Sequence, residues 1–382
     1  MEILTSSFPL FTSNPPRPPP PSPPRFSAKP PPPPPDFNFR AQFLTESRSA
    51  IARTHPELLD LAEGGTLVLI RKPQFGPVPA WRTDFVEPEA IWLVGTNHLS
   101  SRASSDVERV VRAVQPDNVV VELCRSRAGI MYASVDDEEP QQLRNGMFSM
   151  SGSRDGFLGA VGRSIDLGGQ TALALRLLLA VFSSKVASDG DRRFGDEFRA
   201  ARKASEEIGA QLVLGDRPIE ITLERAWNSL AWNEKFSLLT SVIGGITSAP
   251  TVSAESSKDS NDEDGTFQLY DRLSLTYPSL LQPLIHERDT YLSWSLKRSK
   301  AVNGSKSVVG VIGKGHMNGV IYALVSDLGD LRFRDLAGYK KSSGNEWINT
   351  LARSLIRDTV IGVILWALYE QIMTVSEMGI AP

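Results

Sequence analysis

Residues 91–123, IWLVGTNHLSSRASSDVERVVRAVQPDNVVVEL, decide the fold of this chain. The apolar run that opens this stretch predicts a strand ending at Gly95, and NVVVEL at its close predicts a second, buried strand. Between them, valines recur at helical spacing over 103–115, with Ser104 or Ser105 as the N-cap. A strand, a helix and a strand within about 35 residues form a βαβ unit, so we predict that the two strands are parallel neighbours.

The same periodicities extend outward on both sides of this unit. Further strands are predicted at 66–72, 211–215 and 307–313. Helices are predicted at 41–53, 194–210 and 278–299, largely through 157–243, and directly after His316. We therefore predict an α/β (α+β) fold, with a central mixed, largely parallel sheet flanked by helices, a mostly helical middle insertion and a C-terminal helix.

Composition narrows the class of protein. The chain has 382 residues, is 41% hydrophobic and has a formal net charge of −3, which gives no clustered basic face for a nucleic acid. The single cysteine, Cys124, excludes an internal disulfide framework and a zinc site built from several cysteines. Any metal ion would need histidine, carboxylate or amide ligands.

The N-terminal segment 1–39 differs from the rest of the chain. Fifteen of the 27 prolines lie in its first 35 residues, together with many serines, a few basic residues and one acidic residue, Glu2. Such a tract favours polyproline II and does not enter a packed core. We interpret it as an organelle transit peptide, for the chloroplast rather than the mitochondrion, with a plain disordered tail as the alternative.

Residues 40–340 are predicted to form the folded domain, interrupted by a polar, acidic and disordered loop at 248–265. The segment 341–382 contains an apolar run at 359–369 that extends over 359–375 at most. This is shorter than the roughly 20 residues of a membrane-spanning helix. It is expected either to dock on the core or on a second copy, or to associate with a membrane, including the mitochondrial outer membrane.

Polar residues follow four predicted strands at the points where the strands end. His98 follows Gly95, Glu122 closes the second strand, Asp216 and Arg217 follow 211–215, and His316 follows Gly313. Because ligands of open α/β sheets bind beyond the carboxyl ends of the strands, these side chains are candidates for one site. Histidine is both the common metal ligand and the common proton carrier near neutral pH.

Each of these residues also has a purely structural interpretation. A single histidine is more often a hydrogen-bonded structural residue than a ligand, Glu122 could pair with Arg125 or Arg127, and Asp216 could be an N-cap. The charged residues at 287–289 could form a solvated helix face. Lys314 lies in a glycine-rich stretch but lacks the spacing of a phosphate-binding loop, and Cys124 beside an apolar strand is typical of an inert core thiol.

Five segments together resemble one known family. GTNHLS at 95–100, VVVELCRSR at 119–127, LGDRPI at 214–219, HERDTYL at 286–292 and VIGKGHMNG at 311–319 are similar, in this order, to motifs of the TraB/PrgY family. That family is related to the Tiki metalloproteases and to erythromycin-esterase-like and haem-uptake-like proteins. The resemblance implies an α/β fold in which paired Gly-x-x-His motifs form the active site.

Carried onto this sequence, the resemblance implies His98 and His316 as metal ligands or catalytic histidines, and Glu122 as the general acid or base. It implies Arg288 or Arg217 as a clamp for the substrate or an oxyanion. A carboxylate such as Glu122 or Asp216 would complete the ligand set of a divalent ion. Gly95, Gly313 and Gly315 are expected to shape the backbone around the site.

Two functions of different classes follow. The first is a metal-dependent, peptidase-like hydrolase of an organelle, acting on a peptide or another small molecule. The alternative is a non-catalytic adaptor or regulator at an organelle membrane, which uses the fold as a scaffold. For the alternative, residues 359–375 would contact the membrane and the loop region 248–273 would contact a protein partner.

Overall fold

The computed structural model of the chain describes residues 29–82, 84–97, 100–132, 195–235, 237, 277–329 and 331–337. Its centre is a five-stranded sheet in the order β1-β2-β5-β3-β4. The strands are β1 (Leu67–Arg71), β2 (Ala90–Thr96), β3 (Asn118–Val121), β4 (Gln211–Leu214) and β5 (Ser307–Gly313). β1 is antiparallel to β2, and the other pairs are parallel. The predicted α/β class with a mixed, largely parallel sheet is therefore confirmed.

The prediction that the strands at 91–95 and 118–123 are neighbours is wrong. β5 lies between them, with Gly313 in register with Thr96 of β2 and Val311 in register with Val121 of β3. The crossover through the helix keeps the two strands parallel but leaves room for one more strand. The apolar run of β5 suits this central place, because a central parallel strand is buried on both faces.

Helices flank the sheet on both faces. They are α1 (Phe39–Gln42), α2 (Leu44–Thr54), α3 (Leu59–Glu63), α4 (Ser101–Val114), α5 (Asp196–Ile208), α6 (Ile219–Ser229), α7 (Pro278–Leu281), α8 (Glu287–Lys297), α9 (Met317–Val325) and α10 (Phe333–Ala337). A π-helical turn, Gln282–His286, joins α7 to α8. The N-cap of α4 is Ser100, not Ser104 or Ser105, because the side chain of Ser100 accepts a hydrogen bond from the main-chain N–H of Arg102.

The core has two halves, one on each face of the sheet. Val309 and Val311 of β5 pack on one face with residues of α4 and α5, whereas Val308 and Ile312 pack on the other face with residues of α8 and α9. Burying each such valine or leucine contributes roughly 1.5–3 kcal/mol. At Gly310 a Cβ atom would lie 2.6 Å from a methyl of Leu296, so glycine allows α8 to pack closely on the sheet.

The parallel strands β2, β3, β4 and β5 point their carboxyl ends toward the same edge of the sheet, which we call the carboxyl edge. Within the described parts of the chain, no helix has the length and apolar character needed to cross a membrane. The segments 1–28, 157–194, 248–265 and 341–382, about which the sequence made predictions, lie outside the described residues, as does His98.

Candidate active site

Glu122 lies at the carboxyl edge, directly after β3, and only 4% of it is exposed. The main-chain N–H of Gly313 donates to its Oε2 at 2.8 Å, which ties the ends of β3 and β5 together. Its other oxygen, Oε1, accepts from Arg288 Nη2 at 2.7 Å and lies 3.2 Å from Nε2 of His316. Three polar partners therefore stabilise this buried carboxylate.

Asp216 follows β4 and is also buried. Arg288 donates to both of its oxygens, from Nε to Oδ1 at 3.1 Å and from Nη2 to Oδ2 at 2.8 Å, and Arg127 donates to Oδ2. The main-chain N–H of Arg217 donates to Oδ1 at 2.8 Å. Burial raises the pKa of Asp216, but Arg288 and Arg127 outweigh burial and hold that pKa below its ordinary value.

His316 is paired on its far side with Asp289. Nδ1 of His316 lies 2.5 Å from Asp289 Oδ1, and its Nε2 lies 3.3 Å from Arg288 Nη1. Burial disfavours the charged ring, but Glu122 and Asp289 outweigh it and raise the pKa of His316 to about 10. Burial also raises the pKa of Asp289. The imidazole is therefore an imidazolium at neutral pH, held between two carboxyl groups.

Six residues make up this group, which we call the carboxylate–guanidinium cluster. It comprises three carboxyl groups, two guanidiniums and one imidazole: Glu122, Asp216, Asp289, Arg127, Arg288 and His316. The opposite charges are equal in number, which is what makes the burial of so many ionisable groups tolerable. The cluster joins the ends of three adjacent strands to α8.

The π-helical turn before α8 accounts for the position of Arg288 and Asp289. Such a turn adds a residue to the helical path and often occurs at functional sites. It begins at Gln282 and contains Pro283, whose carbonyl accepts from Arg217 Nη2 at 2.6 Å. α8 is buried on nearly all sides, including its charged residues 287–289, so the alternative of a solvated face does not hold.

Arg217 faces a different set of partners from Asp216. Its Nη1 donates to Glu287 Oε2 at 2.6 Å, and its Nε donates to the hydroxyl of Thr222 at 3.0 Å. Arg225 also donates twice to the Glu287 carboxylate. Of the sequence candidates, Glu122, Asp216, Arg288 and His316 thus meet in one cluster, whereas the Arg217 side chain supports the turn behind it.

Sequence reasoning missed two members of the cluster. Arg127 was named only as an alternative partner for Glu122, yet its guanidinium bonds the Asp216 carboxylate and, at 3.4 Å, the main-chain carbonyl of Glu122. Asp289 lies in the motif HERDTYL, but no site role was predicted for it from the sequence. Asp289 could have been recognised because it lies in a helix whose other side chains are mostly buried. A buried acidic residue needs a charged or hydrogen-bonding partner.

The glycines beside the histidine motifs lie where the strands β2 and β5 meet α9. A Cβ atom at Gly95 would lie 2.9 Å from Cγ of Met317, so glycine lets α9 begin close to β2. Gly313 supplies the N–H for Glu122, and Gly315 lies in the turn Lys314–His316 between β5 and α9. A neighbouring pocket is lined by the last three residues of β2, by Lys314, and by Ser100 and Asp106 at the start of α4.

The donor atoms of the cluster do not fit a metal ion as they stand. A ligating histidine needs a free nitrogen lone pair, but Nδ1 of His316 is committed to Asp289 and Nε2 lies between Glu122 and the Arg288 guanidinium. Across the described residues, no three histidine, cysteine or acidic side chains are arranged to hold a metal ion. The expected divalent ion stays a prediction, because His98 lies outside the described residues.

The exposed side of the cluster is positively charged. The side chains of His316 and Arg288 are 15% and 10% exposed, whereas the Glu122 and Asp216 side chains are 4% and 1% exposed. A ligand arriving from solvent would meet the imidazolium and the guanidinium first, with the carboxylates behind them. This arrangement suits an anion or the oxygen of a polarised carbonyl group.

The fold and this cluster together define an α/β protein with a buried acid–base cluster at the carboxyl edge of its sheet. Residues 193–324 match the model of the TraB/PrgY/gumN family, and this range contains Asp216, Arg288, Asp289 and His316. This part of the chain is therefore similar to the TraB/PrgY/gumN family.

Individual relatives extend the similarity over a longer range. The chain is 28% identical over 244 residues to a TraB domain-containing protein of Mus musculus, covering 60% of this chain and 61% of that protein. It is 27% identical to a TraB domain-containing protein of Homo sapiens, covering 66% and 68%. An uncharacterized protein of Methanocaldococcus jannaschii is 23% identical, with 72% of this chain and 64% of that protein covered.

Proposed function

We propose that the chain is a hydrolase of esters or amides, with its active site at the exposed side of the carboxylate–guanidinium cluster. The proposal is supported by one observation above all. A protonated imidazole and a guanidinium lie within 3.3 Å of each other, and both are backed by the same buried carboxylate, Glu122. Two cationic donors side by side are the arrangement that stabilises a developing oxyanion.

Each catalytic role can be assigned to an atom of the chain. The guanidinium of Arg288 binds the carbonyl oxygen of the substrate, and the positive charge of His316 beside it adds to the stabilisation of the developing oxyanion. Glu122 takes a proton from the attacking water, and His316 gives its Nε2 proton to the leaving alcohol or amine. The proton on Glu122 then returns to Nε2 across their 3.2 Å separation, which restores the starting state. Asp289 orients the ring through Nδ1, as the acid of a hydrolase triad does.

The test is hydrolysis of a chromogenic ester and of a mixture of short peptides by the full chain. Glu122→Gln and His316→Gln should each lower the rate at least about 100-fold, the usual contribution of a general acid or base. Glu89→Gln is the matched control, because Glu89 pairs with Lys72 on the surface, far from the cluster in the fold. Equal rates for the wild type, both cluster variants and the control would disprove the proposal.

The same assay separates the metal-dependent form that the family resemblance implies. Activity that survives exhaustive treatment with a chelator fits the mechanism above. Activity that is lost with the chelator and restored by a divalent ion would instead require ligands that include His98, which the mechanism above does not use.

A non-catalytic regulator is the second candidate, and the burial of the carboxylates favours it. Every described bond of Asp216 is made within the protein, so the cluster could serve only to hold the strand ends together. In that case the cluster variants would lose stability while no substrate is turned over by any form. Binding of a membrane through 359–375 and of a protein through 248–273 belong to this candidate.

Organelle targeting is part of both candidates and rests on the composition of residues 1–39. Fluorescent fusions with and without these residues test it directly. Loss of chloroplast or mitochondrial signal on truncation is the expected result, and an unchanged distribution would count against it.

A further inference from the structure

We infer that Arg288 is the resident cation of the carboxylate–guanidinium cluster: its guanidinium occupies the place of a divalent metal ion, and its removal creates a metal site from Glu122, Asp216 and His316. The native protein therefore excludes divalent ions from these three donors. This inference concerns binding alone and does not depend on the proposed hydrolase activity.

The donor atoms around the guanidinium are those of a metal centre. Nη2 lies 2.7 Å from Glu122 Oε1 and 2.8 Å from Asp216 Oδ2, Nε lies 3.1 Å from Asp216 Oδ1, and Nη1 lies 3.3 Å from His316 Nε2. Two carboxylates and one imidazole form a ligand set that zinc, cobalt and iron accept, once a bound ion has displaced the proton from Nε2 of His316. Here the positive charge between these donors is a side chain of the protein.

Two of the donors already have the spacing of ligands to one ion. With bonds of about 2.0–2.2 Å and tetrahedral angles, two ligand atoms of a zinc ion lie about 3.4 Å apart. Glu122 Oε1 and His316 Nε2 are separated by 3.2 Å. Asp216 would have to move inward after the guanidinium is removed, because its oxygens are at hydrogen-bond distance from the larger group.

The outer partners that a metal site requires are also in place and do not depend on Arg288. Nδ1 of His316 is held by Asp289, the carboxylate–histidine arrangement that orients ligating imidazoles. The Gly313 N–H holds Glu122 Oε2, which leaves Oε1 as the donor atom. Arg127 remains paired with Asp216 and favours the ionised form of that carboxylate.

Arg288 excludes a metal ion for two reasons. The guanidinium fills the space between the three donors, and its fixed charge would lie within a few ångströms of any cation bound to them. Because an arginine side chain stays protonated at every accessible pH, the exclusion does not relax under ordinary conditions. A cluster organised in this way has a permanent cation that cannot be lost to a chelator.

The experiment measures binding of Co²⁺, whose visible absorption reports its coordination, to the full chain. Wild type should give no tetrahedral band that depends on Glu122 or His316. Arg288→Ala should bind one Co²⁺ at least about 100-fold more tightly than wild type, as expected when two carboxylates and an imidazole become free to ligate. Arg288→Lys is the matched control and should resemble wild type, since an ammonium retains the charge.

The double variant Arg288→Ala/Glu122→Gln separates the proposed site from other histidines of the chain and should lose the gain. A folded Arg288→Ala protein that binds Co²⁺ no better than wild type would overturn the inference. The inference would also be overturned if the wild-type protein bound one equivalent of Co²⁺ and lost it on the substitution His316→Gln or Glu122→Gln.

If Arg288→Ala folds only when the ion is added, the dependence on the ion itself supports the inference. If Arg288→Ala does not fold under either condition, the wild-type titration decides alone: absence of Co²⁺ at Glu122 and His316 supports the exclusion, and its presence refutes it.

Discussion

Gly319 lies so close to Asp289 that a Cβ atom on residue 319 would be 1.8 Å from Asp289 Oδ2. Gly319 is in the first turn of α9, where the helix dipole favours a carboxylate. The close approach lets α9 press the Asp289 carboxylate toward His316. The absence of one side chain on α9 is therefore a condition for the Asp289–His316 pair.

Gly319→Ala should displace the Asp289 carboxylate and weaken its bond to His316. The loss in the free energy of unfolding should be about 1–3 kcal/mol, the usual cost of overpacking a close-packed site. Urea unfolding measures it. Gly64→Ala is the control, because the nearest atom to its Cβ would be at 3.6 Å, and that variant should match wild type.

The stability of the protein should depend on pH through His316. Its pKa is raised from 6.5 to about 10 in the folded state, so the folded state holds the proton more tightly than the unfolded state. The stabilisation is then fully present below pH 6.5 and is lost as the pH rises through 10. Unfolding free energies of wild type and His316→Gln should differ most below pH 6.5 and converge above pH 10, and a constant difference would contradict this.

Lys297 should give a pH dependence of the opposite sign. Its Nζ is buried at the end of α8, donates to the carbonyls of Gly76 and Leu324 at 2.8 and 3.1 Å, and lies 3.5 Å from Glu87 Oε1. Burial and Arg298 lower the pKa of Lys297 from 10.5 to about 8 despite Glu87.

Between pH 8 and 10.5 the folded state has therefore released a proton that the unfolded state still holds. Stability from this group must rise across that window, and is lost as the pH falls through 8. Wild type should gain unfolding free energy relative to Lys297→Met over this range. A flat or falling difference would show that the ammonium stays charged in the fold.

Arg217 should be needed for stability. It is completely buried and bonds Glu287, the carbonyl of Pro283 and the carbonyl of Leu336. Arg217→Met leaves Glu287 paired with Arg225 alone and removes the donor to two buried carbonyls, so the free energy of unfolding should fall by about 1–3 kcal/mol. Arg112→Met is the control, because Arg112 pairs with Glu207 on the surface, and it should leave unfolding unchanged.

The sequence was sufficient for the local elements and for the strand ends. Periodicity placed each described strand within two residues of its observed bounds, because strands buried on both faces are continuous apolar runs closed by glycine or polar residues. The order of the strands in the sheet could not be predicted from the sequence. Nothing near residue 120 reveals that a strand about two hundred residues later in the chain separates β3 from β2.

The residues of the candidate site that lie just after strand ends could be predicted from the sequence. Glu122, Asp216 and His316 each lie within three residues of the end of a strand, and the fold brings them together by the rule for parallel sheets. Arg127 and Asp289 were not predicted because they enter from a 3₁₀ segment and a helix whose orientations depend on packing. The Arg217 side chain contacts Glu287 and Thr222 rather than the cluster, and these contacts also depend on how the helices pack.

The central place of β5 fixes the order in which the sheet can be completed. During synthesis β1, β2, β3 and β4 leave the ribosome before β5. One edge of β2 and one edge of β3 therefore stay unpaired until residues 307–313 emerge and pair with both. Contacts this distant in sequence close slowly, so the nascent chain exposes two unpaired strand edges until β5 has been made. We expect such a chain to need protection of those edges before its last strand arrives, and to unfold as a single unit once that strand is withdrawn.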